Sequence, residues 1–173
     1  MRFYPVTFVI MLLGGGIACD GGLTPPPEVK PGIAGTIRFS SASPWPPTDS
    51  LQGLWLFASL EYPMDSARII TGVLIEPRTI FLYPSLGESL PYQVDSVQFR
   101  FELTPGDYRY VGVIQQLRPE LVVGNFRVVG MLEDPSVPGT PRTISVRSGT
   151  VITGLVVNVN FAAPPPQPFL SPP

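Results

Sequence analysis

Histidine is missing from this 173-residue chain, lysine occurs once (Lys30) and cysteine once (Cys19). Without histidine there is no Ser-His-Asp triad, no Cys-His dyad and no His-ligated zinc or haem. A single cysteine has no disulfide partner within the chain. Charge is sparse as well. Only 14% of residues are charged, and the formal net charge of -2 becomes -3 if Arg2 leaves with a signal peptide. The arginines stand singly, so the clustered cations of a nucleic-acid footprint or a basic membrane-surface patch are lacking. Uninterrupted helical stretches are scarce too, because 23 Pro and 17 Gly break the chain at nearly a quarter of its positions. What is plentiful is apolar material, at 44% of residues. That balance is opposite to a disordered chain, and the length suits one domain better than two.

The N-terminus reads as an address. Arg2 is a minimal positive region, residues 3–13 form an apolar run, and Gly14-Gly15-Gly16-Ile17-Ala18 supplies small residues before Cys19. This is the layout of a secretory signal, and the run is shorter than the roughly 18–20 residues that span a bilayer. Gly16-Ile17-Ala18-Cys19 resembles a bacterial lipobox, with Gly16 where leucine is usual. The resemblance implies residues 1–18 as a lipoprotein signal peptide and Cys19 as the lipidated first residue of the mature chain. It implies anchoring to a membrane of the bacterial cell envelope through acyl chains, with inner versus outer membrane left open. A lone thiol at this position is otherwise a liability in a secreted protein.

Residues 19–31 carry Gly21-Gly22 and then Pro25-Pro26-Pro27, a flexible start followed by a stiff polyproline tether. Residues 162–173 are proline-rich, with six Pro among the last eleven positions, and read as a disordered tail. Between them, residues 32–161 alternate apolar and polar positions repeatedly. Val97, Phe99, Phe101 and Leu103 share one face, with Ser96, Gln98, Arg100 and Glu102 on the other. Ile33, Ile37 and Phe39 alternate with Thr36, Arg38 and Ser40. Residues 54–62 are apolar on both faces and suit a central strand. Further strands are expected at 110–116, 122–132, around Ile144 and Val146, and from Val151 to Phe161, where Val151, Thr153, Leu155, Val157, Val159 and Phe161 face one way. About seven strands separated by turn signals predict an all-β fold, a single antiparallel β-sandwich.

In Leu103-Thr104-Pro105-Gly106-Asp107-Tyr108, Pro105 presets φ and Gly106 accepts a positive φ, so a tight turn is expected to join 96–103 to 108–116 as neighbours. The Tyr108 hydroxyl is expected to bond back to a turn carbonyl, as in a tyrosine corner. Phe99-x-Phe101-x-Leu103-x-Pro105-Gly106-x-Tyr108 resembles the signature of carboxypeptidase-regulatory-like domains, and Gly35-Thr36-Ile37-Arg38-Phe39 resembles their first strand. Residues 95–131 are similar to bacterial lipoproteins carrying one such domain. The resemblance implies a transthyretin-like (prealbumin-like) Greek-key sandwich without catalytic residues, used in stability, adhesion, assembly or ligand binding. An immunoglobulin-like or fibronectin-like sandwich is the alternative, because the same corner serves there.

Candidate sites are few. Neither Asp95 with Asp107 nor Glu61 with Asp65 shows the spacing of a glycosidase pair, so the acids read as surface and turn residues. Lys30 lies in the tether, away from any serine nucleophile site. Glu133-Asp134 matches no calcium loop. No catalytic residue, metal or cofactor is therefore assigned. Aromatics remain: Trp45 in Ser43-Pro44-Trp45-Pro46-Pro47, with Tyr62, Tyr83 and Tyr92 flanking an irregular stretch at 64–91. Flat rings bind sugars and apolar peptides, although Trp45 also suits a cap over the end of the sandwich. Within 64–91, residues 69–75 and 80–83 are apolar enough to pair as a hairpin or to offer an edge to a partner. The function expected is a lipid-anchored, non-enzymatic envelope module for protein interaction, assembly or adhesion. The alternative is a carbohydrate- or peptidoglycan-binding module using exposed aromatics. Partners would be the membrane and an envelope protein or polysaccharide, not nucleic acid.

Overall fold

The computed structural model describes residues 28–66 and 79–170. Its strands are β1 (Gly32–Phe39), β2 (Gly53–Ser59), β3 (Met64–Asp65), β4 (Ile80–Tyr83), β5 (Ser96–Glu102), β6 (Gly106–Tyr108), β7 (Tyr110–Gln116), β8 (Phe126–Met131), β9 (Glu133–Asp134), β10 (Val137–Pro141), β11 (Ile144–Val146), β12 (Val151–Val159) and β13 (Phe169–Leu170). The fold is all-β, as the alternation predicts. β5 buries Phe99 and Phe101 and exposes Ser96, Gln98, Arg100 and Glu102. β2 and β7 are buried along their whole length, which places them in the interior of the sheet and under cover on both faces.

Seven strands hydrogen-bond into one sheet in the order β4-β2-β7-β8-β12-β1-β5. This sheet curls until it is nearly closed into a barrel-like sandwich. Its two edge strands approach so closely that the rings of Tyr83 (β4) and Phe101 (β5) lie 5.7 Å apart. Pairing is antiparallel throughout this sheet except between β1 and β12, which run parallel. β1 is therefore an internal strand, flanked by β12 and β5, although it is the first strand of the described chain.

Inside the curl lies the main core. Ile33, Ile37, Leu54, Leu56, Val111, Val113, Val129, Val146, Val157 and Val159 pack there with Phe99, Phe101 and Tyr108. Burying a side chain of this size contributes about 1.5–3 kcal/mol. A second cluster covers the outer face of β2, β7 and β8. It contains Trp55, Phe57, Tyr110, Ile114, Val128 and Met131, sealed by Met64, Ile80 and the half-buried Phe169.

Five expectations are corrected. The Pro105-Gly106 turn does not make 96–103 and 108–116 neighbours: β5 pairs with β1, while β7 pairs with β2 and β8. Gly106 opens β6 opposite Val146 and does not take a positive φ. The reason is tertiary. β1 sets Ile33 and Ile37 opposite Phe101 and Val97 and so completes the apolar face of β5. The chain after β5 must then cross the end of the barrel.

The single face predicted for β12 switches midway. Opposite the step from Ile33 to Gly35 in β1, β12 advances from Ile152 to Leu155, an extra residue that makes a bulge. Gly154 takes φ +75° there, which glycine tolerates without cost from a Cβ. Consequently Ile152 packs on the core before the bulge and Leu155 after it, while Thr153 is exposed.

Strand pairing in 122–132 is shorter than expected. β8 begins at Phe126, after a 3₁₀ turn at Val123–Asn125. Finally, the tail from 162 onward is not disordered through residue 170. The Met64 N–H donates to the Pro168 carbonyl at 2.8 Å, and β13 pairs with β3 in parallel. Proline forbids a regular ladder, but the outer face of β2, β7 and β8 is apolar and the tail supplies cover for it.

Candidate functional site

At one end of the barrel lies the tyrosine corner. Leu103 is buried, and Tyr108 is fully buried, with its ring edge-on to Phe81 at 5.7 Å. The Tyr108 hydroxyl donates to the Thr104 carbonyl at 2.8 Å and lies 3.2 Å from Thr104 Oγ1. Pro105 and Gly106 thus place a loop whose carbonyl is aimed at the phenol. Burial pushes the Tyr108 hydroxyl above its usual value, partly offset by the hydrogen bond with Thr104. The tether reaches the body near this end. Lys30 pairs with Glu102 at 3.0 Å, and the Leu103 N–H donates to the Pro31 carbonyl at 3.0 Å.

Trp45 stands at the opposite end of β1. Its ring centroid is 4.5 Å from that of Phe39, the last residue of β1, and 4.9 Å from that of Phe161, two residues beyond β12. Buried Ser43 holds the loop, since its hydroxyl accepts from the Ala162 N–H at 2.9 Å. Trp45 therefore caps the sandwich, half-buried against the mutually stacked rings of Phe39 and Phe161.

The other aromatics do not join it in one surface. Tyr83 packs inward against Phe101, and Tyr92 lies against the main core with its hydroxyl accepting from Ser89 Oγ at 3.0 Å. Tyr62 is on the outer face instead, 41% exposed and stacked on Tyr110 at 5.4 Å. Tyr110 stacks in turn on Phe57 at 5.5 Å. The four rings proposed from sequence thus divide between the inside and the outside of the sheet. Sequence spacing could not show this, because β2 and β7 carry apolar residues on both faces.

On the outer face there is an arrangement that sequence reasoning missed. Val128 of β8 faces Ile114 of β7 on one side, but on the other side β12 pairs only as far as Met131 and Gly130. Gln167 occupies the gap. The Val128 N–H donates to Gln167 Oε1 at 2.9 Å, and Gln167 Nε2 donates to the Val128 carbonyl at 3.0 Å. A side-chain amide here reproduces the two bonds of a strand partner. The one signal in the sequence was a glutamine set among prolines, Pro166-Gln167-Pro168.

Near this clasp, Trp55 Nε1 and the Tyr110 hydroxyl are buried and have no hydrogen-bond partner among the described residues. Burial, with a smaller contribution from Tyr62, pushes the Tyr110 hydroxyl far above its usual value. Gln115 Oε1 is likewise buried and unpaired, whereas Gln116 Nε2 donates to the Arg118 carbonyl at 2.7 Å.

Among the described residues no group of three or more acidic, Cys or His side chains is placed to hold a metal ion. Ser145 Oγ donates to Asp107 Oδ1 at 2.6 Å, so that acid ties β11 to β6. Asp134 accepts from the Ser136 N–H at 2.8 Å and shapes the turn between β9 and β10. Cys19 and the apolar stretch 69–75 lie outside the described residues, while 80–83 forms β4, an edge strand. No helix among the described residues is long and apolar enough to cross a membrane. Compared with protein-family models, with curated proteins and with solved structures, the chain matches none.

Proposed function

We propose that this chain is a lipid-anchored, non-enzymatic β-sandwich module of the bacterial cell envelope, acting in protein interaction, assembly or adhesion. The observation that carries the reading is the setting of Cys19. It is the only cysteine, it follows an apolar run and small residues, and a proline-rich tether leads from it to β1. Acyl chains on that sulfur would add about 0.8 kcal/mol of membrane affinity per buried methylene, enough for stable anchoring when several chains act together. In this reading the corner end of the barrel, where Lys30 meets Glu102, is the end nearest the lipid, and the Trp45 cap points away.

The likeness of 99–108 to carboxypeptidase-regulatory-like domains belongs to the same proposal, and an accessory role without catalysis follows from it. The separation of Trp45, Tyr62, Tyr83 and Tyr92 between the end, the inside and the outside of the sheet favours protein contact over carbohydrate binding, because a sugar platform needs neighbouring free aromatic faces.

Intact mass of the membrane-extracted protein tests the anchor. The expected species begins at Cys19 and carries the added mass of acyl chains, and Cys19→Ser releases the body from the membrane fraction. A soluble chain that retains residues 1–18 with an unmodified thiol would overturn the proposal.

A further inference from the structure

The tail is bound in a way that points to exchange. From Ala163 the chain runs through Pro164-Pro165-Pro166, an extended and stiff spacer, before Gln167 and Phe169 make their contacts. Among the described residues its attachments include the two bonds between Gln167 and Val128, the bond from the Met64 N–H to the Pro168 carbonyl, the short parallel pairing of β13 with β3, and the packing of Phe169 on the outer cluster. Pro168 is buried, but Gln167 is exposed and Phe169 only half-buried, so water competes for the contacts of these two. Segments held this way open at low free energy compared with the core.

What the tail leaves behind on opening is specific. On the side away from β7, Val128 presents an N–H and a C=O with no strand partner among the described residues, and Met64, only 2% exposed with the tail in place, would lose the cover of Phe169. An unpaired backbone pair beside an apolar strip is the ordinary receptor for an extended peptide added as a strand. The peptide known to fit is the one already seated there, Gln167-Pro168-Phe169. Every copy of the chain carries that segment next to a stiff spacer, and a second copy reproduces each contact without new surface, which is how exchange of a terminal element yields dimers at little cost.

From this we infer that the groove formed by Val128 and Met64 binds the C-terminal tail of a second copy, giving a tail-exchanged dimer. The inference does not depend on acylation of Cys19.

The test mixes equal amounts of full-length detergent-solubilised chains, one population labelled with heavy nitrogen, both carrying Phe169→benzoylphenylalanine. After incubation and illumination, cross-linked peptides joining position 169 to the Met64 segment are weighed. Exchange predicts mixed light–heavy pairs that rise with protein concentration towards half of all such cross-links. Cross-links at Met64 confined to one isotope after prolonged mixing mean that the tail binds only its own chain and overturn the inference. Cross-links that miss Met64 overturn it too. Sedimentation supplies a second readout with the native chain and a version ending at Ala163. A concentration-dependent dimer is expected for the former and its loss for the latter, and a dimer that survives truncation rejects the exchange.

Discussion

Tyr108 and Tyr110 stand two positions apart and both are buried, yet among the described residues only the first has a hydrogen-bond partner for its hydroxyl. Their removal should therefore have opposite consequences. Tyr108→Phe leaves the Thr104 carbonyl without its donor and is expected to cost about 1 kcal/mol in urea unfolding. Tyr110→Phe removes an unpaired buried polar atom and keeps the ring stack, so stability near neutral pH should hold or rise. Both phenols titrate above the unfolded value of 10.0 when folded. Their neutral forms are favoured by folding, so this stability is complete below pH 10 and is lost as pH climbs from there toward the folded values. Unfolding followed against pH should show the loss beginning above pH 10, and Tyr110→Phe should reduce it. Close approach makes a separate demand at Gly35, where a Cβ would stand 2.0 Å from the Leu155 carbonyl oxygen. Gly35→Ala is expected to cost about 1–3 kcal/mol or to part β1 from β12, read by thermal unfolding.

At the scale of the element, alternation located strands well and partners poorly. β5 and β11 occupy the positions that the period-2 pattern marked, because one buried face per strand leaves a local trace. The neighbour of β5 left none: Pro105-Gly106 signals a turn, but the choice of β1 over β7 depends on which apolar face meets Phe99 and Phe101. The bulge at Gly154 was hidden for the same reason, since the extra residue in β12 exists only relative to β1. The tail was misread because proline argues against a ladder, and the two bonds to Val128 come from the side chain of Gln167. Gln167→Ala should lower the local protection of β8. We expect the Val128 amide to exchange with deuterium about fivefold faster, an effect of about 1 kcal/mol, while amides in β1 remain unaffected.

For the whole molecule, the order β4-β2-β7-β8-β12-β1-β5 makes the first strand a keystone of the sheet. A chain lacking residues 28–39 would strip β5 of its only partner in the sheet and expose Leu155 and Val157. It should lose its β-sheet circular dichroism or aggregate rather than persist as a smaller barrel. By contrast, Lys30→Ala breaks only an exposed ion pair beside the tether and should change stability by less than about 1 kcal/mol. The sequence alone determined the class of the fold, the position of most strands, the corner tyrosine and the exclusion of histidine chemistry, because composition and alternation are properties of neighbouring residues. Only the tertiary structure decided the strand order, the packing of Trp45 against Phe39 and Phe161, the division of the tyrosines between two faces, and the seat of the tail. Those depend on which distant surfaces meet, and a surface buried on both sides, such as β2, carries no periodic mark of what lies on either.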